Sequence, residues 1–290
     1  MSIFTGSGVA IVTPFDENDS INFGVLEELI EFHIENKTDA IIACGTTGES
    51  VTLTEKEHIS VVKFVVEQVN GRIPVIAGTG SNNTKHAISL SEECEKVGAN
   101  GLLVVTPYYN KTTQKGLIEH YTAIASRVTL PILIYNVPSR TGLNVLPKTT
   151  YELSKVKNII GIKECCGSMA QVAEIVSLCG EDFDVYSGND DEILPILSLG
   201  GKGAISVMAN IIPRQTHDIV EYYIKGNIAK SREIQLKYLK LIKTLFSEPN
   251  PIPIKEALNM IGYNVGKCRL PLTSIGEENE KLLRDEISYL

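Results

Sequence analysis

Eight short apolar, β-branched runs recur along the chain at fairly even intervals, and they constrain its fold more than any other feature. They occupy residues 8–12, 40–43, 74–77, 101–105, 131–135, 159–163, 183–187 and 203–207. Amphipathic stretches separate them, and repeated strand–helix units of this kind signal a parallel sheet. Eight such units predict a closed (β/α)8 TIM barrel, a fold of about 250 residues, within a chain of 290. Helix signals fill the gaps. Asn22 caps a run through Glu35, Thr54 and Glu57 make a capping box, and Gly98 ends a helix begun near Thr84. Beyond the eighth run, helical patterns cover 213–224, 228–246 and 252–261, followed by a polar tail from Gly276. No Gly/Ser-rich linker divides the chain, and Glu248-Pro-Asn-Pro-Ile-Pro253 reads as a stiff connector between helices. The expected organisation is a catalytic barrel over 1–224 and a C-terminal helical extension over 225–290.

Charge and composition remove whole classes of function. A net charge of −8 repels phosphate backbones, and no Lys/Arg stripe with interleaved aromatics offers a nucleic-acid surface. No run approaches 18 apolar residues, and the first ten residues lack the basic and long apolar regions of a signal peptide, so the expectation is a cytoplasmic protein with no membrane contact. Six cysteines stand at 44, 94, 165, 166, 179 and 268 with no C-x-x-C pair and no clustering with the five histidines. Reduced, mostly buried thiols are expected, without zinc or disulfides.

The sixth run, Ile159-Ile-Gly-Ile-Lys163, ends on a lysine. Side chains alternate along a strand, which puts Ile159, Gly161 and Lys163 on one face. Burial is costly for an ammonium and drives it toward the neutral amine, a nucleophile able to form a Schiff base with a ketone. The other reading is a lysine that emerges at the strand end and pairs with Glu164. Active sites of such barrels sit at the C-terminal ends of the strands, where this chain carries Gly45-Thr-Thr-Gly-Glu-Ser50, Thr106-Pro-Tyr-Tyr-Asn110, Tyr135 and Asn136-Val-Pro-Ser-Arg-Thr-Gly142. The first could cradle a carboxylate or phosphate with its backbone N–H groups. A phenol beside an amine, with a threonine hydroxyl near it, suits the proton transfers of imine formation. Each also has a plain structural reading: a satisfied core tyrosine, turn-stabilising threonines, a surface arginine.

Five ordered motifs together make the chain resemble the dihydrodipicolinate synthase family, among the pyruvate-dependent lyases that also include N-acetylneuraminate lyase. They are Gly45-Thr-Thr-Gly-Glu49, Pro107-Tyr-Tyr109, Tyr135-Asn-Val-Pro-Ser-Arg-Thr-Gly142, Gly161-Ile-Lys-Glu164 and Ser187-Gly-Asn-Asp190, and the resemblance spans essentially the whole length. It implies condensation of pyruvate with L-aspartate 4-semialdehyde to 4-hydroxy-tetrahydrodipicolinate, in diaminopimelate and lysine biosynthesis, without a cofactor or metal. In that frame Lys163 forms the Schiff base and Tyr135 is the general acid/base. Thr47 and Tyr109 complete a proton relay, with Tyr109 supplied by the neighbouring subunit. Thr46 and Thr47 hold the pyruvate carboxylate, Gly188 and Ile205 line the pocket through their backbone, and Arg140 binds the second substrate's carboxylate. A homo-oligomer is implied, at least a dimer and commonly a tetramer built as a dimer of dimers.

Three alternatives accompany this reading. Asp190, Asp191 and Glu192 raise a Mg²⁺-dependent aldolase, although acidic residues opening a helix are favoured by its dipole alone. A sugar-acid lyase differs after the fifth run, where Arg140 suits a small acidic aldehyde. A non-catalytic keto-acid sensor would have no use for Lys163, Tyr135, Thr47 and Tyr109 together. The resemblance further implies an effector site for L-lysine at Ser50, Val51, Glu55, His58, Asn82, His86 and Tyr108. Histidine is the family's residue at the position of Glu55, and an acidic residue at that of His86, so weak or absent inhibition is expected.

Overall fold

The computed structural model describes residues 2–290. Its eight strands are β1 (Gly6–Ala10), β2 (Ala40–Ala43), β3 (Val75–Gly78), β4 (Gly101–Val105), β5 (Ile132–Asn136), β6 (Ile159–Glu164), β7 (Asp184–Ser187) and β8 (Gly203–Ser206). They close into a parallel barrel in sequence order, with β8 pairing β1. The seam depends on Gly203: with φ +153°, its place leaves a side-chain β-carbon only 1.8 Å from the carbonyl oxygen of Gly6, so only glycine fits.

Helices α1 (Phe23–Glu35), α2 (Glu55–Val69), α3 (Thr84–Lys96) and α4 (Gln114–Ala125) follow the first four strands. The caps read from sequence are in place. The side chain of Asn22 accepts from the amide of Val25, and Thr54 and Glu57 bond reciprocally. After β5 come a single turn, α5 (Pro138–Thr141), and α6 (Pro147–Ser154); α7 (Met169–Cys179), α8 (Ile193–Ser198) and α9 (Pro213–Ile224) complete the ring. The extension comprises α10 (Ile228–Lys237), α11 (Leu239–Leu245), α12 (Ile252–Met260) and α13 (Glu277–Ile287). Among the described residues no helix is long and apolar enough to cross a membrane.

Two apolar layers follow from strand alternation. Side chains such as Val9, Ile41, Leu102, Ile134 and Ile162 face the helices, while Ala10, Ile42, Ile76, Leu103, Leu133, Tyr135, Tyr186 and Ile205 fill the barrel. Phe4 plugs its lower end, stacked on Tyr186 with ring centres 4.5 Å apart.

The structure departs from the sequence expectations at four places. Ile159 does not share the face of Lys163. The β5–β6 register slips between Ile132 and Leu133, so Ile159 joins the outer layer and Ile160 packs against the inner one. The first strand starts two residues earlier than expected, because Gly6 and Ser7 pair with Gly203 and Ala204 of β8, and it ends two residues earlier, where the amide of Val12 bonds to Asn210 Oδ1 instead of a ladder partner. The helical pattern over 228–246 breaks at Tyr238, where α10, packed on α8 and α9, gives way to α11, packed on α12 and α13. The polar tail from Gly276 is the helix α13. Glu277, Glu278 and Glu280 in its first turn and Arg284 in its last complement the helix dipole, and the buried Leu283 anchors it.

Candidate active site

Lys163 lies at the C-terminal end of β6 with its side chain inside the barrel, only 5 % exposed. It is in register with Tyr135 on β5 and Tyr186 on β7. Its Nζ sits 4.4 Å from the centre of the Tyr135 ring and forms no ion pair among the described residues. Burial pushes the ammonium below its ordinary range, opposed by Cys165 and Asp190 and reinforced by the Arg140 guanidinium. The pairing with Glu164 does not occur. The next residue on a strand points to the other face, and the Glu164 carboxylate accepts from Asn136 Nδ2, Gln171 Nε2 and the amide of Cys166 at 2.9–3.2 Å. Asn136 and Asn144 extend this network behind the site. Sequence reasoning did not single out these amides, and a Lys-Glu pair on a strand is the signal that one side chain faces in and the other out.

Tyr135 is buried beside the lysine. Burial raises its phenol above the ordinary range, as does Cys165, while a hydrogen bond with Thr46 and the charge of Arg140 oppose the rise. The two threonines that the sequence reading places at the substrate have different surroundings. The Thr46 side chain acts on the phenol, and the buried Thr47 hydroxyl accepts from Asn250 Nδ2 at 3.0 Å. Asn250 belongs to the segment read as a mere connector, and its carbonyl accepts from Arg140 Nη2 at 3.4 Å. Arg140 stands on the single turn α5 with its head exposed.

Gly188 donates its amide to the carbonyl of Glu164, and a β-carbon there would lie 2.1 Å from Cys165 Sγ and 2.7 Å from Lys163 Cε. Only glycine leaves room for the lysine side chain. Ile205 is fully buried in the inner layer. Cys165, for which sequence reasoning had no role, lines the same space, its thiol pushed up to about 12 by burial. Tyr109 is 93 % exposed and left-handed at φ +69°, so within one chain it faces solvent.

Ser50, Val51, Glu55, His58, His86 and Tyr108 converge on a separate cavity of about 150 Å³. Asn82, the seventh expected residue, does not line it; its carbonyl accepts from Asn110 Nδ2. Glu55 and His86 face each other at 4.0 Å, so their exchange of places keeps one carboxylate and one imidazole at this cavity. Burial lowers His58 to about 4.

The carboxylates of the acidic run after β7 do not gather at one point. Asp190 is buried and accepts from the amides of Val207 and Met208, Asp191 is exposed, and Glu192 accepts from Asn189 Nδ2. Among the described residues the one cluster able to hold a metal is His217, Asp218 and Glu221 on α9. There Asp39, just ahead of β2, bonds to His217, which puts the cluster at the opposite end of the barrel from Lys163.

The model of the dihydrodipicolinate synthetase family matches residues 3–290. A 4-hydroxy-tetrahydrodipicolinate synthase from Caldicellulosiruptor bescii is 61% identical over 284 residues, covering 98% of this chain and 96% of the relative. The crystal structure of dihydrodipicolinate synthase from Aquifex aeolicus superposes with a TM-score of 0.97 at 47% identity, covering 99% of this chain and 98% of the other. The dihydrodipicolinate synthase from Cyanidioschyzon merolae, solved with lysine bound, gives a TM-score of 0.97 at 40% identity, covering 99% and 98%.

Proposed function

The chain belongs to the dihydrodipicolinate synthetase family, and on that premise we propose that it condenses pyruvate with L-aspartate 4-semialdehyde through a Schiff base on Lys163. The observation that carries the reading is a buried lysine without an ion pair, stacked over a buried tyrosine at the mouth of the barrel. Burial favours the neutral amine, which attacks the C2 carbonyl of pyruvate. Tyr135 gives a proton to the carbinolamine oxygen as water leaves, and Thr46 passes protons to and from the phenol. Loss of a methyl proton from the imine gives the enamine, whose methylene carbon attacks the aldehyde of the second substrate. Arg140 holds that substrate's carboxylate through its planar guanidinium, and Asn250 steadies the guanidinium through its carbonyl. The product's own amine then displaces Lys163 and closes the ring, restoring the free lysine.

Thr47 and the backbone around Gly188 and Ile205 hold pyruvate in near-attack geometry. Tyr109, exposed on one chain, is assigned to the site of a second copy, so the working unit is at least a dimer, commonly a dimer of dimers. We place the enzyme in the cytoplasm and read residues 225–290 as an extension of the 1–224 barrel. The cavity at Glu55 and His86 is assigned to L-lysine, with weak or absent inhibition because of their exchange.

The test is consumption of pyruvate with aspartate semialdehyde in EDTA, beside Lys163→Ala. Turnover by the unaltered protein alone is expected, together with a pyruvate adduct at Lys163 after borohydride reduction. Turnover by Lys163→Ala, or an adduct elsewhere, overturns the assignment; an adduct without condensation moves the second substrate to a sugar-acid aldehyde.

A further inference from the structure

The threonine loop after β2 is pinned from the far end of the chain. Glu49, three residues beyond Thr46, is only 3 % exposed and left-handed at φ +55°, and its amide turns back to the carbonyl of Thr46 at 3.0 Å. A buried carboxylate in a backbone conformation that β-carbon-bearing residues avoid needs something to hold it there. Lys255 on α12 does so. It is 1 % exposed, and its three N–H donors are all used: one on Glu49 Oε1 at 2.9 Å, one on the carbonyl of Thr13 and one on that of Lys267. The second carboxylate oxygen of Glu49 accepts from the amide of Arg269 at 2.9 Å.

Lys255 also reaches the loop by a second route. The Thr13 residue whose carbonyl it holds donates its hydroxyl to the carbonyl of Gly48 at 2.7 Å. A third tie, from Asn250 to the Thr47 hydroxyl, comes from the same stretch of chain. These ties reach Thr47, Gly48 and Glu49, and through the Glu49 amide Thr46, while none touches Lys163.

We propose that Lys255 and Glu49 are positioning residues: their buried ion pair lets the C-terminal extension set the Thr46 hydroxyl against Tyr135 and the Thr47 backbone against the substrate carboxylate. The assignment rests on the reaction proposed above. It makes the extension part of the catalytic apparatus and accounts for a motif glutamate that touches no substrate.

The experiment compares Glu49→Gln, Lys255→Met and the double variant with Leu283→Ala, which loosens the extension at α13 without touching the pair. Folding is checked by circular dichroism and thermal melting, and kinetics are measured well below each midpoint. We expect both single variants to lose at least tenfold in kcat while still giving the full borohydride adduct at Lys163 with pyruvate, and Leu283→Ala to keep kcat. The double variant, free of an unpaired buried charge, is expected to fold and still to be slow. Hydrogen exchange at the amides of Glu49 and Ser50, which bond to the carbonyls of Thr46 and Gly45, supplies a readout independent of turnover: faster exchange in Lys255→Met and the double variant, unchanged in Leu283→Ala. A folded double variant with unaltered kcat and unaltered exchange overturns the proposal, as does equal loss in Leu283→Ala. Absence of an adduct in the unaltered protein overturns the reaction instead, and the exchange comparison then decides whether Lys255 holds the loop.

Discussion

Two lysines are buried in this molecule, and their surroundings separate two uses of one side chain. Both lie over an aromatic ring at nearly the same distance, Lys163 at 4.4 Å from Tyr135 and Lys255 at 4.3 Å from Phe15. Burial pushes both ammonium groups down. Lys255, however, has a carboxylate and two carbonyls for its three donors, so its charge is compensated and it stays put. Lys163 has a ring face, a thiol and a carboxylate that is already engaged by backbone amides. Depth of burial therefore does not identify a nucleophile. Lack of compensation is what the assignment of Lys163 rests on, because an ammonium that nothing satisfies favours the neutral, reactive form.

The contrast is broken most directly by removing each amine. Lys163→Ala is expected to lower kcat by about four orders of magnitude, the scale of losing a group that acts as the covalent centre, with the melting midpoint unchanged or raised. Steady-state assay and calorimetry on the same preparation check both halves. Lys255→Met is expected to do the reverse to stability. Leaving Glu49 buried without its partner costs about 3–5 kcal/mol, and removing both charges recovers much of it. Urea unfolding of Lys255→Met and of the Glu49→Gln/Lys255→Met pair measures this; equal stabilities would mean that the pair is solvated and the two lysines are not opposites.

The threonines sharpen the comparison at the next scale. Thr46→Val removes the hydroxyl beside the Tyr135 phenol and is expected to cost about 10²-fold in kcat, at the low end of general acid–base effects. Thr47→Val leaves Asn250 Nδ2 without its acceptor and should act chiefly on the KM for pyruvate, by less than tenfold. Larger kcat loss at Thr47 would return the relay to the residue first expected from sequence.

The unequal legibility of the two lysines has a physical cause. Lys163 sits at the end of a β-branched run, where period-two alternation and the rule that barrel sites gather at strand C-termini both point at it. The barrel, the caps at Asn22 and Thr54, and the loop residues around Thr46, Tyr135 and Arg140 were legible for the same reason: each signal is local. Lys255 lies 206 residues from Glu49, in a helix whose pattern shows only that one face is apolar, and no local rule pairs it with a loop after the second strand. Asn250 was hidden in the same way inside a proline-rich connector. The face of Ile159 was misread because a register slip depends on the neighbouring strand, and α13 because its exposed polar face outweighs the single buried Leu283.

The smallest expected effect is also the most direct test of the missing compensation. If Lys163 is held neutral at a cost, Lys163→Met should fold more stably than the unaltered chain by about 1 kcal/mol, as when a strained functional group is traded for a packing one. The gain has a definite pH dependence. The folded-state pKa of Lys163 is lowered from 10.5, so between the folded and unfolded values the unfolded chain binds more protons, and stability of the unaltered protein rises with pH across that window. Methionine has no such dependence. The advantage of the variant is therefore greatest below the folded pKa, where the buried amine is charged, and shrinks as pH climbs toward 10.5. Urea midpoints of the two proteins from pH 6 to 10 measure the gap. A gap that widens with pH would mean that folding raises the pKa of Lys163, and hence that its surroundings hold the charged form.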